Sequence, residues 1–101
     1  MAVPFARPLY PGEYLREEYL VPLDLSAGQL AKALGLPRTR IERIVKEDVG
    51  ISTDTALRLA RFFRTTPGFW LNLQQAYDLE TQSVRLSDQL ARIEPYTPCA
   101  A

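Results

Sequence analysis

The sequence predicts an all-α fold of five to six short helices, and three observations carry that expectation. Apolar residues recur at helical spacing, most cleanly at Ala56, Leu59, Ala60 and Phe63. The periodic stretches are punctuated by residues that start or stop helices, among them Pro11, Pro22, Ser26, Gly35 and Pro95. No stretch alternates polar and apolar residues as a half-buried strand would, and there are no internal repeats or low-complexity tracts.

Residues 1–10 hold Pro4 and Pro8, show no helical period and read as an extended arm. Pro11-Gly12-Glu13 opens the first helix, with proline preset for the first turn and an acid placed to complement the dipole. Tyr14, Leu15 and Tyr19 form its buried side, Arg16, Glu17 and Glu18 lie outside, and Pro22 ends it. Leu23-Asp24-Leu25 then connects to the stretch around which the chain is organised.

That stretch, Ser26 to Lys46, reads as two short helices joined by a tight turn. Ser26 suits an N-cap, because its hydroxyl can accept from an orphan amide of the first turn. Leu30, Ala31 and Leu34 share one face. Gly35 supplies the left-handed residue that stops the helix, Leu36 plugs the corner, and Pro37 has its φ set for the next first turn. The second helix buries Ile41, Ile44 and Val45, while Arg38, Thr39, Glu42, Arg43 and Lys46 occupy its other face. Small Ala31 lets the two helices cross closely.

Glu47-Asp48-Val49-Gly50 is a loop, after which Ser52 or Thr53 caps a helix with Asp54 in its first turn. Ala56, Leu59, Ala60 and Phe63 face inward; Arg58, Arg61 and Arg64 lie away from them and read as a solvated face. Thr66-Pro67 starts a further helix bearing Phe69, Trp70, Leu71, Leu73, Ala76 and Tyr77, apolar around more than one face and expected in the core. From Asp78 the pattern weakens. Leu86, Leu90 and Ile93 predict a last helix over 83–92, stopped by Pro95 and Pro98, and its stripe either seals a dimer or packs back on the domain.

Bulk composition narrows the class. A chain of 101 residues with 47% hydrophobic content makes one domain with a single small core. Such a domain buries only about 60–70% of its unfolded surface, so self-association is a natural supplement. No apolar run approaches the ~18 residues of a membrane span, and the N-terminus MAVPFARP lacks a signal-type apolar region, so a cytoplasmic protein is expected. Cys99 is the single cysteine and histidine is absent. An internal disulfide, a cysteine-rich zinc site and histidine acid–base chemistry are therefore excluded, no cofactor is expected, and no nucleophile–base pair or phosphate-cradling loop suggests an enzyme. Net charge is zero, which argues mildly against nucleic acid, yet its distribution argues for it. From Lys32 to Arg64 eight basic residues face four acidic ones, a net +4, and the flanks sum to −4.

The paired helices, carried by Leu30-Ala31, Leu34-Gly35-Leu36, Ile41 and Ile44, resemble the helix-turn-helix of XRE-type (lambda-repressor-like) DNA-binding domains. The whole chain narrows the match to the HigA/VapI branch, the antitoxins of HigBA toxin–antitoxin systems. The carriers are Pro11-Gly12-Glu13, Leu15-Arg16-Glu17-Glu18, Leu30 to Gly35, Ile51 to Phe63, Phe69-Trp70-Leu71-Asn72-Leu73-Gln74 and Tyr77-Asp78-Leu79. The resemblance covers about residues 8–80 and implies a helix-turn-helix domain over 11–79; the C-terminal helix and tail over 80–101 then either form a dimerisation element or pack back on the domain. It implies a homodimeric repressor of its own promoter, bound to palindromic double-stranded operator DNA, that also silences a HigB-type mRNA-cleaving toxin. The chain departs from the family at Tyr10, where a histidine is usual. It departs at Ala27-Gly28, where a phosphate-contacting glutamine is common, and at Glu47-Asp48, in a loop that is usually Gly-rich and basic.

On the exposed helix, Arg38, Thr39 and Arg43 are the expected base contacts, since arginine can engage guanine O6 and N7 together and threonine a thymine methyl. Arg40 and Lys46 are the expected phosphate contacts. The alternative is a protein-binding inhibitor or phage-type regulator with weak or no DNA binding, in which the same helix is scaffold and its charges pair with Glu42 and Glu47.

Overall fold

A computed structural model describes residues 9–98; the arm over residues 1–8 and Cys99 lie outside the described residues. The described residues are helical and contain no strand. Three short segments, α1 (Pro11–Leu15), a π-helical turn (Arg16–Leu20) and α2 (Val21–Leu23), follow one another without a break. They are followed by α3 (Ala27–Leu34), α4 (Arg38–Val45), α5 (Thr53–Phe63), α6 (Pro67–Arg85) and α7 (Ser87–Ala91).

Local chemistry accounts for the helix starts. Ser26 and Gln29 form a reciprocal capping box, the Ser26 hydroxyl accepting from the Gln29 amide at 3.0 Å and the Ser26 amide donating to Gln29 Oε1 at 2.9 Å. Ser52, not Thr53, caps α5, accepting from the Thr55 amide at 3.3 Å. Thr66 caps α6 in the same way at 3.2 Å. Pro37 sits one position earlier than expected: with ψ 141 it is the N-cap of α4 and not its first helical residue.

Four helix ends share one device, which α6 and α7 do not use. Asp24, Gly35, Glu47 and Arg64 are all left-handed. Each is followed by an amide that reaches back five residues: Leu25 to Leu20, Leu36 to Ala31, Asp48 to Arg43, and Thr65 to Ala60, at 2.9 to 3.0 Å. Only Gly35 announced itself, because the other three use side chains that tolerate this conformation less well.

Two boundaries differ from expectation. The first rod does not stop at Pro22 but continues to Leu23. Proline lacks an amide and its ring would meet the carbonyl four residues back. The wider π turn just before it, closed by the Val21 amide on the Arg16 carbonyl, makes room for the ring. The second difference is α6, which runs unbroken to Arg85, so the expected helix over 83–92 is in fact its last turn plus the short α7. Beyond Asp78 this helix is largely solvated, and its apolar residues Leu79 and Val84 are exposed.

The core is Leu15, Leu20, Leu30, Ala31, Leu34, Ile41, Ile44, Ile51, Ala56, Leu59, Ala60 and Trp70. Trp70 is its centre, fully enclosed among Tyr14, Tyr19, Phe63 and Phe69, with ring centroids 5.1 to 6.3 Å away. Its indole N–H donates to Thr65 Oγ1 at 2.8 Å, so the one polar atom of the ring is satisfied. Of the aromatic residues of α6 expected in the core, Trp70 alone is buried; Phe69 packs against the core partly exposed, and Tyr77 is half-buried against Tyr10. The Leu86, Leu90, Ile93 stripe is not buried by the domain: Leu90 and Ile93 are exposed, as are Leu79 and Val84 on α6. No helix of the described residues is long and apolar enough to cross a membrane.

Candidate nucleic-acid interface

The interface is built by holding α4 firmly from behind and leaving its front free. Ile41 and Ile44 are buried to 0% and 1% exposure and fix the helix's rotation about its axis. Arg38, Thr39, Arg40, Arg43 and Lys46 are all exposed as a consequence. Beside them, α4 and the start of α5 enclose a recess of about 450 Å³ lined by Thr39, Arg40, Arg43, Gly50, Ser52 and Thr55.

The five side chains differ in how they are held. Arg38 Nε donates to Glu42 Oε2 at 2.8 Å, one turn along the same helix. Its stem lies over Gly28, where an added Cβ would sit 3.5 Å from Arg38 Cδ. Arg40 Nη1 lies 3.6 Å from Asp54 Oδ2, across the recess on α5. Thr39, Arg43 and Lys46 enter no ion pair or side-chain hydrogen bond among the described residues.

Two arginines also brace this site: Arg58, which is exposed as expected, and Arg16, which is not. Arg58 extends back from α5, and its Nη1 donates to the Leu34 carbonyl at 2.8 Å, closing the glycine turn, while its Nε donates to Asp54 Oδ2 at 3.1 Å. Arg16 is half-buried: its Nη1 donates to the Val45 carbonyl and its Nη2 lies 3.6 Å from Glu47. It therefore satisfies an orphan carbonyl at the end of α4 and complements the negative end of that helix. It also neutralises one of the two acids in the loop that departs from the family pattern. These contacts join residues 24 and 29 positions apart, which helical spacing does not report.

Tyr10 and Gln74 tie down the loop after α4. The Tyr10 hydroxyl donates to the Val49 carbonyl at 3.0 Å, and its ring meets Tyr77 edge-on at 4.7 Å. Gln74 Oε1 accepts from the Ile51 amide at 2.8 Å. Burial, then Tyr77 and the acids Glu47, Asp48 and Asp78, push the Tyr10 phenol above its ordinary 10.0. The folded state thus favours the neutral phenol, whose stabilisation is complete below pH 10 and is lost as pH rises through the raised native value. Tyr10→Phe is expected to cost about 0.5–1.5 kcal/mol at neutral pH, from the lost hydrogen bond. It should also flatten the decline of stability above pH 10. Urea unfolding at the two pH values measures both effects.

A rigid helix pair with a glycine corner and a cation-bearing outer helix defines a helix-turn-helix protein. A family model described as helix-turn-helix matches residues 15–70. Among curated proteins, virulence-associated protein I of Dichelobacter nodosus is 57% identical over 71% of this chain and 67% of its own. Among solved structures, Pseudomonas aeruginosa antitoxin HigA with the higBA promoter superposes with a TM-score of 0.87 at 43% identity, covering 90% of this chain and 100% of that one. Antitoxin GraA in complex with its operator gives 0.86 at 40% identity, over 96% and 99%. The chain belongs to the helix-turn-helix family, in its HigA antitoxin branch.

Proposed function

We propose that this chain is a sequence-specific transcriptional repressor that acts as the antitoxin of a toxin–antitoxin module. It binds double-stranded operator DNA in its own promoter and neutralises an mRNA-cleaving toxin of the HigB type. The observation that carries the reading is the outward face of α4, where Thr39, Arg43 and Lys46 stand exposed, with no side-chain partner among the described residues, on a helix whose inner face is locked. Likeness to an antitoxin solved with a promoter supports the same reading.

In this reading α4 enters the major groove. Arg43 and Thr39 meet base edges, and Arg40 and Lys46 meet phosphates. Arg38, paired with Glu42 on the same helix but largely exposed, meets a base edge as well. A second copy covers the exposed apolar residues of α6 and α7, so that 80–101 acts as the dimerisation element and two α4 helices address a palindrome. In this reading the protein acts in the cytoplasm by binding alone, without catalysis and without a cofactor.

Arg43→Ala is expected to cost about 1–3 kcal/mol of operator affinity and to relax base preference at one position, whereas Lys46→Ala weakens all duplexes alike and lowers the salt slope by about one. Gel shifts with the upstream promoter and a scrambled duplex at moderate salt measure both; equal wild-type affinity for the two would count against sequence-specific binding. The acidic pair Glu47 and Asp48 beside the recess favours a second reading, a protein-binding inhibitor using the helix pair as scaffold. Co-purification with the product of the neighbouring gene, in the absence of any duplex shift, would select it.

A further inference from the structure

We propose that Asp54 is a positioning residue that holds Arg40 in reserve in the free protein and thereby sets how tightly, and up to what salt, the chain grips phosphate. The inference rests on the DNA-binding reading above.

Asp54 stands in the first turn of α5, where the helix dipole favours a carboxylate. Its Oδ2 accepts from Arg58 Nε at 3.1 Å, and Arg58 is itself anchored by the Leu34 carbonyl at 2.8 Å. The carboxylate is thus fixed from one side. Arg40 reaches across from α4 toward that same oxygen and stops 3.6 Å short, an ion pair with both side chains about half exposed. The two cations are therefore held unequally: Arg58 belongs to the scaffold, and Arg40 is the detachable partner.

A phosphodiester approaching α4 competes with Asp54 for Arg40. Arg43 and Lys46 need release no partner, and Arg38 is tied only within its own helix. Among the described residues Arg40 is the one cation of this face paired across to another helix. An exposed pair of this kind is worth at most about a five-fold shift in an equilibrium. Asp54 also lies near the phosphate track itself, so removing its charge has two separable effects: release of Arg40, and relief of a general repulsion. Only the first depends on Arg40.

The test is a double-mutant cycle read by fluorescence anisotropy across a salt series. The probes are a duplex from the region upstream of the reading frame and a scrambled duplex of equal length. Asp54→Asn keeps an oxygen for Arg58 and removes the charge. It is expected to bind both duplexes about two- to five-fold more tightly than wild type, with the slope of log K against log salt little changed, because Arg40 reaches a phosphate in both complexes. In an Arg40→Ala background the same change should leave only the smaller gain that comes from relieved repulsion. A gain of equal size with or without Arg40 would overturn the positioning role, leaving only repulsion. So would wild-type binding that Asp54→Asn leaves unchanged. If neither wild type nor Asp54→Asn binds either duplex at low salt, the DNA-binding reading falls and this inference falls with it.

Discussion

Gly12→Ala is expected to destabilise the protein by at least about 3 kcal/mol, the upper end of the usual cost of forcing extra atoms into a packed contact. A Cβ at Gly12 would lie 1.8 Å from the Ile44 carbonyl oxygen and 2.8 Å from its carbon. Those atoms are backbone of α4, so no side-chain rotation relieves the overlap; α1 or α4 must move. Alanine's better helix propensity, worth about 1 kcal/mol, opposes this loss without cancelling it. At about 4–8 °C per kcal/mol for a domain near this size, the melting temperature should fall by about 12–24 °C. Far-UV circular dichroism measures it, and an unchanged midpoint would refute the close approach. The same substitution should weaken DNA binding in the fraction that stays folded, because Ile44 sets the rotation of the helix that carries Arg43. One missing methyl group thus links the first turn of the chain to the aim of the recognition helix.

Trp70→Ala is expected to cost about 3–5 kcal/mol, the range for removing a large aromatic from a core. Trp70 has 0% exposure and joins α6 to the aromatic residues of the first rod and of α5. Truncation would open a void among Tyr14, Tyr19, Phe63 and Phe69 and strip Thr65 Oγ1 of its donor. Denaturant unfolding followed by circular dichroism gives the loss. A cost below about 1 kcal/mol would mean that the surrounding rings collapse into the gap, against the close packing of protein interiors. The chain holds a single tryptophan, so the fluorescence of the wild type reports this core alone.

Local signals made most of the fold legible. Ser26, Gly35, Ser52 and Thr66-Pro67 act on amides a few residues away, and the apolar stripes of α3, α4 and α5 repeat within one helix. The inward face of α4 followed from Ile41 and Ile44, and the exposure of Arg38, Thr39, Arg40, Arg43 and Lys46 followed from that. What escaped is tertiary or runs against residue preference. Arg16 and Arg58 look like solvated charges because their carbonyl partners lie in other helices. Asp24, Glu47 and Arg64 stop helices in a conformation more often given to glycine. Pro22 suggested an end because the π turn that accommodates it has no sequence period of its own. The far half of α6 is held by its own backbone and by small polar links such as Thr81 Oγ1 to the Tyr77 carbonyl at 2.9 Å, and these leave no apolar imprint.

If a second copy covers the leucine and valine side chains along α6 and α7, as proposed above, the protein's lifetime is tied to its abundance. A face of this kind is sheltered only while something occupies it, and occupancy follows mass action. When copies are scarce the helices stand bare, open to chaperones and proteases; when copies are plentiful they shield one another. Dilution through growth would then remove the molecule faster than first-order turnover alone, and a drop in synthesis would be amplified, not merely followed.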